Sequence, residues 1–545
     1  MKFHSCAAMF AACLTLPVYA QTAQTVLING QILSADSKDS RHQAMAIRDS
    51  RIVSMGTSQQ MKSFIGPETR VVDLKGRTVI PGLIDSHMHA IRAALSYSTE
   101  VHWLGVTSIN TALEKLKQAA GQAKAGEWLI VAGGWTEEQF KEGRRPTQAE
   151  IQQAAPNNPV YVQWMYDWAL LNPAGYTALN IQSEADLPGG GKFALDAKGQ
   201  PTGAVLGGIV ALFDKLPKPN FAQKVTGTQK FFKELNRVGV TGVMDPGGFN
   251  MSPTEYAPLF NVWRHKDLTV RVNFSYFAQK KDKELEEFKE LTQLLPMGLG
   301  DEMLRFNGIG ERVAFSMYNN DKATPADQEK LYQIARWAAD NGLTLTQHWH
   351  EDSSVDTLLD VFERVHREFP IDQLRWSIAH LNNGTEATFQ RMKKLGVAWA
   401  MQDAMYLEGD RVLHRHGEKA AQHMPPINTA LKVGVKIGAG TDAHRVADYN
   451  PFIALRWMLD GKTASGKPLR ATNEIPSRLQ ALKLYTSGSA WLAHDEKNRG
   501  VLEVGKLADL AVLSQDYMRV PLDKMADTHS VLTMVGGTIV HSELQ

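Results

Sequence analysis

The pattern of apolar and polar positions divides the chain into two β-rich ends and a middle in which helices and strands alternate. Residues 25–79 contain short apolar runs separated by turn residues, and the end of the chain has the same texture. The turn sequences "NG" at 29–30 and "RDSR" at 48–51 predict two β-hairpins. Because chain termini often lie close together, we expect residues 21–79 and 497–545 to pair into one β-rich domain.

The middle of the chain repeats the order helix, then strand. In "DQEKLYQIARWAADNG" the apolar side chains Leu331, Ile334, Ala335 and Ala338 recur at helical spacing, and the strand-like "LTLTQHWH" follows directly. Two later segments, "TEATFQRMKKLG" with "VAWAMQD" and "TALKVG" with "VKIGAGTD", have the same order. Such alternation predicts an α/β fold with a mostly parallel sheet.

The predicted strands of the middle end on polar side chains that are able to do chemistry. These strand-terminal residues are Asp245, His348, His380, Gln402 and Asp442. This pattern is typical of a (β/α)8 barrel of the TIM type, which carries its active site at the carboxyl ends of the strands. We expect the barrel to occupy residues 80–496.

A long segment rich in Trp, Gly and Pro interrupts the predicted barrel at residues 100–235. It is too long for a simple crossover, so we expect an insertion subdomain that acts as a lid or forms a substrate pocket. Trp135, Trp164, Tyr166 and Trp168 are candidates for an apolar wall against an aromatic or acyl group. Clustered tryptophans in a plain hydrophobic core are the alternative.

The first twenty residues, "MKFHSCAAMFAACLTLPVYA", predict a secretory signal peptide. Lys2 precedes an apolar stretch that is shorter than a membrane span, and Val18 and Ala20 suit a cleavage site. We therefore expect a periplasmic or secreted protein with no membrane span after cleavage. Cys6 and Cys13 would leave with the signal peptide, so any metal must be held by His, Asp or Glu.

The charge balance limits the class of partner. The chain has 59 Lys plus Arg against 58 Asp plus Glu, so it has no basic excess that would hold a phosphate backbone. We expect a small-molecule substrate and no nucleic acid. The oligomeric state is open, with a homodimer as one alternative.

Two histidines in the motif "PGLIDSHMHA" are the first candidates for a metal site. In an extended strand His87 and His89 point to the same side, so their imidazoles are able to converge on one ion. His348, His380 and Asp442 lie at the ends of other predicted strands and complete the set. A divalent ion held by imidazole and carboxylate groups lowers the pKa of bound water toward neutrality, which indicates a hydrolase.

These motifs resemble the amidohydrolase superfamily, and within it the branch that includes N-substituted formamide deformylases, amidohydrolase family 3. The resemblance runs through "PGLIDSHMHA", "GVTGVMDPGG", "TQHWHEDS", "GAGTDAHRVADYNPF" and "GVLEVGKLADLAVL". It implies a metal-dependent barrel with a composite β-sandwich. It also implies that His87 and His89 are ligands from the first strand, His348 from the fifth and His380 from the sixth, whereas Asp442 contacts the metal or takes a proton from the attacking water.

The chain departs from this branch at three positions, one of which is Gly207, near where an acidic residue often found after "PTG" would fall. The lysine that relatives carboxylate to bridge two metals would fall near Gly310, where this chain has no lysine, and a histidine of the branch would fall at Asp167. Glu311 follows Gly310, and we predict that it points inward as a metal-site carboxylate that needs no bicarbonate. We also count Asp167 and His350 as candidate substrate-binding residues.

The hypothesis that follows is an exported hydrolase of an amide or cyclic amide in a small, aromatic or N-acylated substrate. The expected cofactor is a divalent metal, zinc by preference, as one or two ions. Asp442 would carry the proton to the leaving nitrogen, and His380 would hold a second ion or stabilise the oxyanion. The alternatives are a deaminase or lactonase that uses the same site and a non-catalytic periplasmic binding protein on the same fold.

Overall fold

The computed structural model describes residues 22–544, so the predicted signal peptide at residues 1–20 lies outside the described residues. At the centre are two four-stranded sheets in which each strand pairs in parallel with the next. In chain order these strands are β1 (Leu83–Asp85), β2 (Val240–Asp245), β3 (Arg271–Tyr276), β4 (Leu304–Ile309), β5 (Thr346–Trp349), β6 (Ser377–His380), β7 (Ala398–Gln402) and β8 (Ile437–Gly440).

Hydrogen bonds join the two sheets at both pairs of edges. At one side the amide of Ile309 donates to the carbonyl of Thr344 (3.0 Å), next to a parallel bridge between Ile309 and Leu345. At the other side the amide of Ser86 donates to the carbonyl of Ala439 (3.0 Å). The residues that follow β1, β4, β5, β6 and β8 are thereby brought together.

Helices follow the strands and cover them. The helices of seven or more residues that accompany β1 to β8 are Ala90–Ser96, Phe221–Arg237, Ala257–Arg264, Glu284–Thr292, Pro325–Asp340, Asp352–Glu368, Glu386–Leu395, Ala404–His416, Ile427–Val433 and Pro451–Asp460. The helix predicted from "DQEKLYQIARWAADNG" is confirmed as Pro325–Asp340, with Leu331, Ile334, Ala335 and Ala338 buried. It begins after Thr324, whose side chain accepts from the amide of Asp327 in a capping box.

Strands from both ends of the chain share one sheet. Its order is Thr538–Ser542, Ser530–Val535, Leu510–Leu513, Thr78–Pro81, Gln31–Leu33, Arg41–His42. A second sheet packs against it, in the order Arg51–Gly56, Ala44–Arg48, Thr25–Ile28, Arg70–Asp73. Side chains of both sheets, among them Leu27, Met45 and Leu510, form one buried apolar cluster.

One of the two predicted hairpins is confirmed and the other is wrong. At residues 48–51, Arg48 pairs with Arg51 across Asp49 and Ser50, which have φ of 48° and 68° as a two-residue type I′ turn requires. Asn29 and Gly30 join no hairpin, since Thr25–Ile28 and Gln31–Leu33 belong to different sheets. At this point the chain crosses from one sheet to the other. Leu27 before the crossing and Ile32 after it are buried in the same apolar cluster between the sheets.

The long insertion has a sheet and a core of its own. The order of its strands is Lys192–Leu195, Pro201–Leu206, Trp168–Leu171, Val160–Trp164, Leu129–Val131. Two helices, Ile109–Gln122 and Gln148–Ala154, pack beside this sheet. Among residues 22–544, no helix combines the length and apolar character that crossing a membrane requires.

A buried ion pair ties β3 to the C-terminal strand Leu510–Leu513. Arg271 donates from Nε to Asp509 Oδ2 (2.7 Å) and from Nη2 to Asp509 Oδ1 (2.9 Å), and both side chains are 3% exposed. Asp509 Oδ1 also accepts the amide of Gly536 (2.7 Å). The aspartate of the motif "KLADLAVL" therefore joins the terminal sheet to the central strands.

Candidate metal centre

The His-x-His segment after β1 is held by backbone hydrogen bonds to the neighbouring strands. The amide of His89 donates to the carbonyl of Ala443 (3.0 Å), and the amide of Asp442 donates to the carbonyl of His87 (2.7 Å). His89 Nδ1 donates to the carbonyl of Gly247 (2.5 Å), which leaves its Nε2 free to act as a ligand. The loops after β1, β2 and β8 thus place both imidazoles and the Asp442 carboxylate at one point.

Glu311, two residues beyond β4, points inward and lies among the four histidines. Its side chain is 2% exposed. Oε1 contacts His348 Nδ1 and lies 2.8 Å from His380 Nε2. Oε2 lies 3.6 Å from Nε2 of both His87 and His89. The orientation predicted for this carboxylate is therefore the one in the structure.

The donor atoms form two groups that share Glu311. In the first group, Asp442 Oδ1 lies 3.2 Å from His89 Nε2 and 3.7 Å from His87 Nε2, with Glu311 Oε2 completing the set. In the second group, His380 Nε2 lies 2.7 Å from His348 Nδ1, with Glu311 Oε1 between them. A carboxylate between two groups of imidazoles is an arrangement that suits two divalent ions or one.

The side chains present fit a metal ion better than they fit one another. His87 Nε2 is buried and has no hydrogen-bond partner among the described residues. A buried polar atom without a partner is costly, and a cation that accepts its lone pair removes that cost. The ligand atoms of His87, His89 and Asp442 lie within 4.8 Å of one another, as do those of His87, Glu311 and His380.

The electrostatics of the centre give His380 and Glu311 the protonation states that metal ligands need, whereas metal binding at His87 would have to displace a proton. Burial and the neighbouring His348 lower the pKa of His380 to about 4, so that its imidazole is neutral near pH 7. Burial alone would raise the pKa of Glu311, but His348 and His87 hold it well below the usual range. Burial likewise lowers the pKa of His87, yet the Glu311 carboxylate outweighs it and raises the pKa to about 9.

Several positioning residues were not among the predicted ligands. Asp85 Oδ1 accepts the amide of His87 (3.0 Å), and Asp85 Oδ2 accepts the hydroxyl of Thr441 (2.7 Å), so this carboxylate joins the ends of β1 and β8. Gln402 contacts His380 Nδ1, and the indole of Trp399 donates to the His380 carbonyl (2.7 Å). Gln402 had a signal in the sequence, because it ends a predicted strand.

Five of the predicted substrate-binding residues lie in three different places: the core of the insertion, the protein surface and the side of the metal centre. Trp135, Trp164 and Trp168 pack in the buried core of the insertion, which favours the plain-core alternative. Asp167 is exposed and pairs with Arg411 (2.9 Å). His350 lies beside the metal centre, with its ring 4.6 Å from that of His348, and burial together with His380 lowers its pKa to about 3.

Tyr166 reaches the metal centre through a chain of aromatic rings. Its ring centroid lies 5.8 Å from that of Phe249, which lies 6.2 Å from Tyr318. Tyr318 in turn stacks on His348 at 4.2 Å. Of the insertion residues proposed to contact substrate, Tyr166 is the one whose placement supports that role.

Known proteins match almost the whole chain. The model of the amidohydrolase family matches residues 70–541. The chain belongs to this family. It is 27% identical to the protein LONG AFTER FAR-RED 3 of Arabidopsis thaliana, over 94% of this chain and 91% of that protein. It is 23% identical to the N-substituted formamide deformylase of Arthrobacter pascens, over 95% and 98%.

A solved structure agrees with this assignment at the level of the fold. An uncharacterized metal-dependent hydrolase from Pyrococcus furiosus superimposes with a TM-score of 0.65 and 22% identity, over 91% of this chain and 100% of that chain. The match to the family model confirms the resemblance to amidohydrolase family 3. Family membership and the cluster of histidines and carboxylates support a metal-dependent amidohydrolase.

Proposed function

We propose that this protein is an exported metal-dependent hydrolase that cleaves the C–N bond of an amide or cyclic amide in a small substrate. The observation that carries the proposal is the Glu311 carboxylate between two groups of imidazoles, at the end of a parallel sheet where such folds place their chemistry. Export to the periplasm or medium rests on the signal-like residues 1–20. The proposed partner is a small-molecule substrate, and a homodimer is one alternative for the oligomeric state.

The fold that serves this function is proposed as follows. Strands β1 to β8 form a closed (β/α)8 barrel within residues 80–496, and residues 100–235 form its insertion subdomain. Residues 21–79 and 497–545 form the composite β-sandwich. Pairing of Thr78–Pro81 with Leu510–Leu513 supports this division, as do the hydrogen bonds at both junctions of the two central sheets.

We propose zinc as the metal. Imidazole nitrogens combined with carboxylate oxygens suit zinc, and the described residues include no cysteine thiolate. His87, His89 and Asp442 would hold one ion, His348 and His380 a second, and Glu311 would contribute one oxygen to each. An ion in this position lowers the pKa of coordinated water and polarises a carbonyl group.

The residues of the chain then have distinct tasks. Asp442 accepts the proton of the attacking water and returns it to the leaving nitrogen, a transfer that its burial against His89 keeps away from bulk solvent. His350, neutral and next to His380, is placed to donate a hydrogen bond to the substrate carbonyl. Gln402 and Trp399 hold the orientation of His380.

Metal analysis combined with an amide panel tests this function. The purified protein should contain zinc by elemental mass spectrometry and should hydrolyse some member of a panel of N-formyl, N-acetyl and cyclic amides. A chelator should abolish turnover and zinc should restore it. His529→Ala is the matched control for replacement of a ligand histidine such as His87. His529 is a partly exposed histidine that pairs with Glu543 and belongs to neither group of ligands. Full metal occupancy with no turnover of amides, lactones or aminated rings would instead favour a binding protein.

A further inference from the structure

A cavity of about 320 Å3 lies between the insertion and the segments that follow β1, β2 and β8. Most of its surface is apolar, with Leu95, Ile130, Phe213 and Phe249 among the lining residues. A cavity of this size and character suits the apolar part of a small substrate. Arg92 and Tyr166 also line it, and both have contacts that lead toward the metal centre.

The charges on the wall of this cavity cancel in pairs, with one exception. Arg445 donates to both oxygens of Glu100 (2.9 and 3.0 Å). Lys224 pairs with Glu255 (2.5 Å), and Lys218 pairs with Asp214. The remaining charged residue is Arg92, which has no ion pair with a described carboxylate. The lining residues therefore carry a net positive charge, which is the charge of Arg92.

The guanidinium of Arg92 keeps most of its donors free. Nη2 donates to the hydroxyl of Tyr166 (2.6 Å), and this is its one hydrogen bond with the described residues. Its Cζ lies 5.8 Å from the ring of Tyr166 and 5.9 Å from that of Phe249, so aromatic rings flank the charge. An arginine held in this way presents a planar fork that matches a carboxylate.

Arg92 lies between the cavity and the metal centre. It follows His89 by three residues in the helix Ala90–Ser96, so both side chains are on the same turn. Gly248 lies close to both: a Cβ atom added at Gly248 would be 3.5 Å from Arg92 Cδ and 3.5 Å from His89 Nδ1. Arg92 is therefore the cationic residue of the cavity wall that lies next to a metal-ligand candidate.

We propose that Arg92 binds a carboxylate of the substrate, so that the substrate class is an amide carrying both a carboxylate near the scissile bond and an apolar group. This inference rests on the proposed function for the position of the scissile bond. The guanidinium of Arg92 has no ion-pair partner among the described residues, although Asp442 and Asp245 act on its charge from a longer distance, and it matches the single charge of a carboxylate. A phosphate would need further cations, and both lysines of the cavity are already paired.

Binding measurements with a matched pair of ligands test the inference without turnover. N-acetylphenylalanine and N-acetyl-2-phenylethylamine differ only in the carboxylate, and each is titrated calorimetrically into chelator-treated protein. The unmutated protein should bind N-acetylphenylalanine about 10- to 100-fold more tightly, since a charge-assisted hydrogen-bonded pair contributes on that scale. Arg92→Met should remove the preference and Arg92→Lys should keep part of it.

Lys218→Met is the matched control, because it removes a cation that is already paired with Asp214 on the same cavity wall, and water screens the Asp214 charge that remains, since both side chains are about half exposed. It should retain the preference. Equal binding of the two ligands by the unmutated protein overturns the inference, and this comparison decides the matter even if Arg92→Met does not fold. Arg92-dependent binding without hydrolysis of any amide refutes the proposed function alone, whereas hydrolysis without carboxylate preference refutes this inference alone.

Discussion

Replacement of Asp509 by alanine should destabilise the protein strongly, because it leaves the Arg271 guanidinium buried without its carboxylate. Three hydrogen bonds are lost: two from Arg271, at 2.7 and 2.9 Å, and one from the amide of Gly536, at 2.7 Å. Arg271 keeps a hydrogen bond from Nη1 to the carbonyl of Glu302 (3.0 Å). It also keeps the Glu302 carboxylate at 3.8 Å from Nη1, but that side chain is 52% exposed, so water screens the pair and it does not replace the buried partner.

The expected loss is about 3–5 kcal/mol in the free energy of unfolding, the usual cost of breaking a buried ion pair by removing one partner. The exposed pair of Arg364 and Glu329 is the matched control, since its side chains are 45% and 46% exposed although the N–O distance is 2.6 Å. Glu329→Ala should cost less than about 1 kcal/mol, because water and salt screen the exposed charges.

Urea denaturation followed by tryptophan fluorescence measures both variants against the unmutated protein. A loss of less than about 1 kcal/mol for Asp509→Ala would refute the reasoning, because it would mean that water reaches Arg271 or that another group neutralises it. Added salt separates the two pairs further: it should weaken the effect at Glu329 and leave that at Asp509 almost unchanged.

Three further variants test the metal centre. His87→Ala should lose metal affinity by more than the roughly 10- to 100-fold that follows loss of a mere outer-shell partner, and full zinc content by elemental mass spectrometry would contradict its role as a ligand. Asp442→Asn should retain metal and lose about 10²–10⁴-fold in kcat; an unchanged kcat would assign the proton transfer to another group. Glu311→Gln should lower the metal stoichiometry and the rate, whereas removing bicarbonate from the unmutated protein should change neither. If Glu311→Gln has the metal content and rate of the unmutated protein, the centre is built from the histidines and Asp442 alone.

The elements that carry the candidate site were predictable because their signals are local. The strand ending in Asp245 is marked by the short segment "VTGVMD", and the structure has it at Val240–Asp245 as the sequence indicates. The helix over Leu331 to Ala338 was predictable from spacing alone. The inward orientation of Glu311 needed the resemblance as well, since simple alternation along a strand is equally compatible with an outward side chain.

Other features depend on contacts between distant segments, which the pattern does not contain. Asp85 binds Thr441, a partner 356 residues away, so nothing near it in sequence marks its role. Asn29 and Gly30 have the composition of a hairpin turn, but the need to fill two layers directs the flanking strands into different sheets. The tryptophans of the insertion look alike in sequence, and only packing distinguishes a core residue such as Trp135 from a cavity wall.

The antiparallel pairing of Thr78–Pro81 with Leu510–Leu513 has a consequence for the order in which the chain acquires structure. Val79 meets Val512, a partner about 430 residues further along. At about 5–20 residues per second, the ribosome completes that partner some tens of seconds after the first strand emerges. The first strand leads directly into β1, and the His-x-His pair follows β1. The edge of the first strand stays without its neighbour until synthesis is almost finished. Pairing of the two ends is therefore a late step in maturation, and nascent or C-terminally truncated chains present an unpaired strand edge to chaperones and proteases.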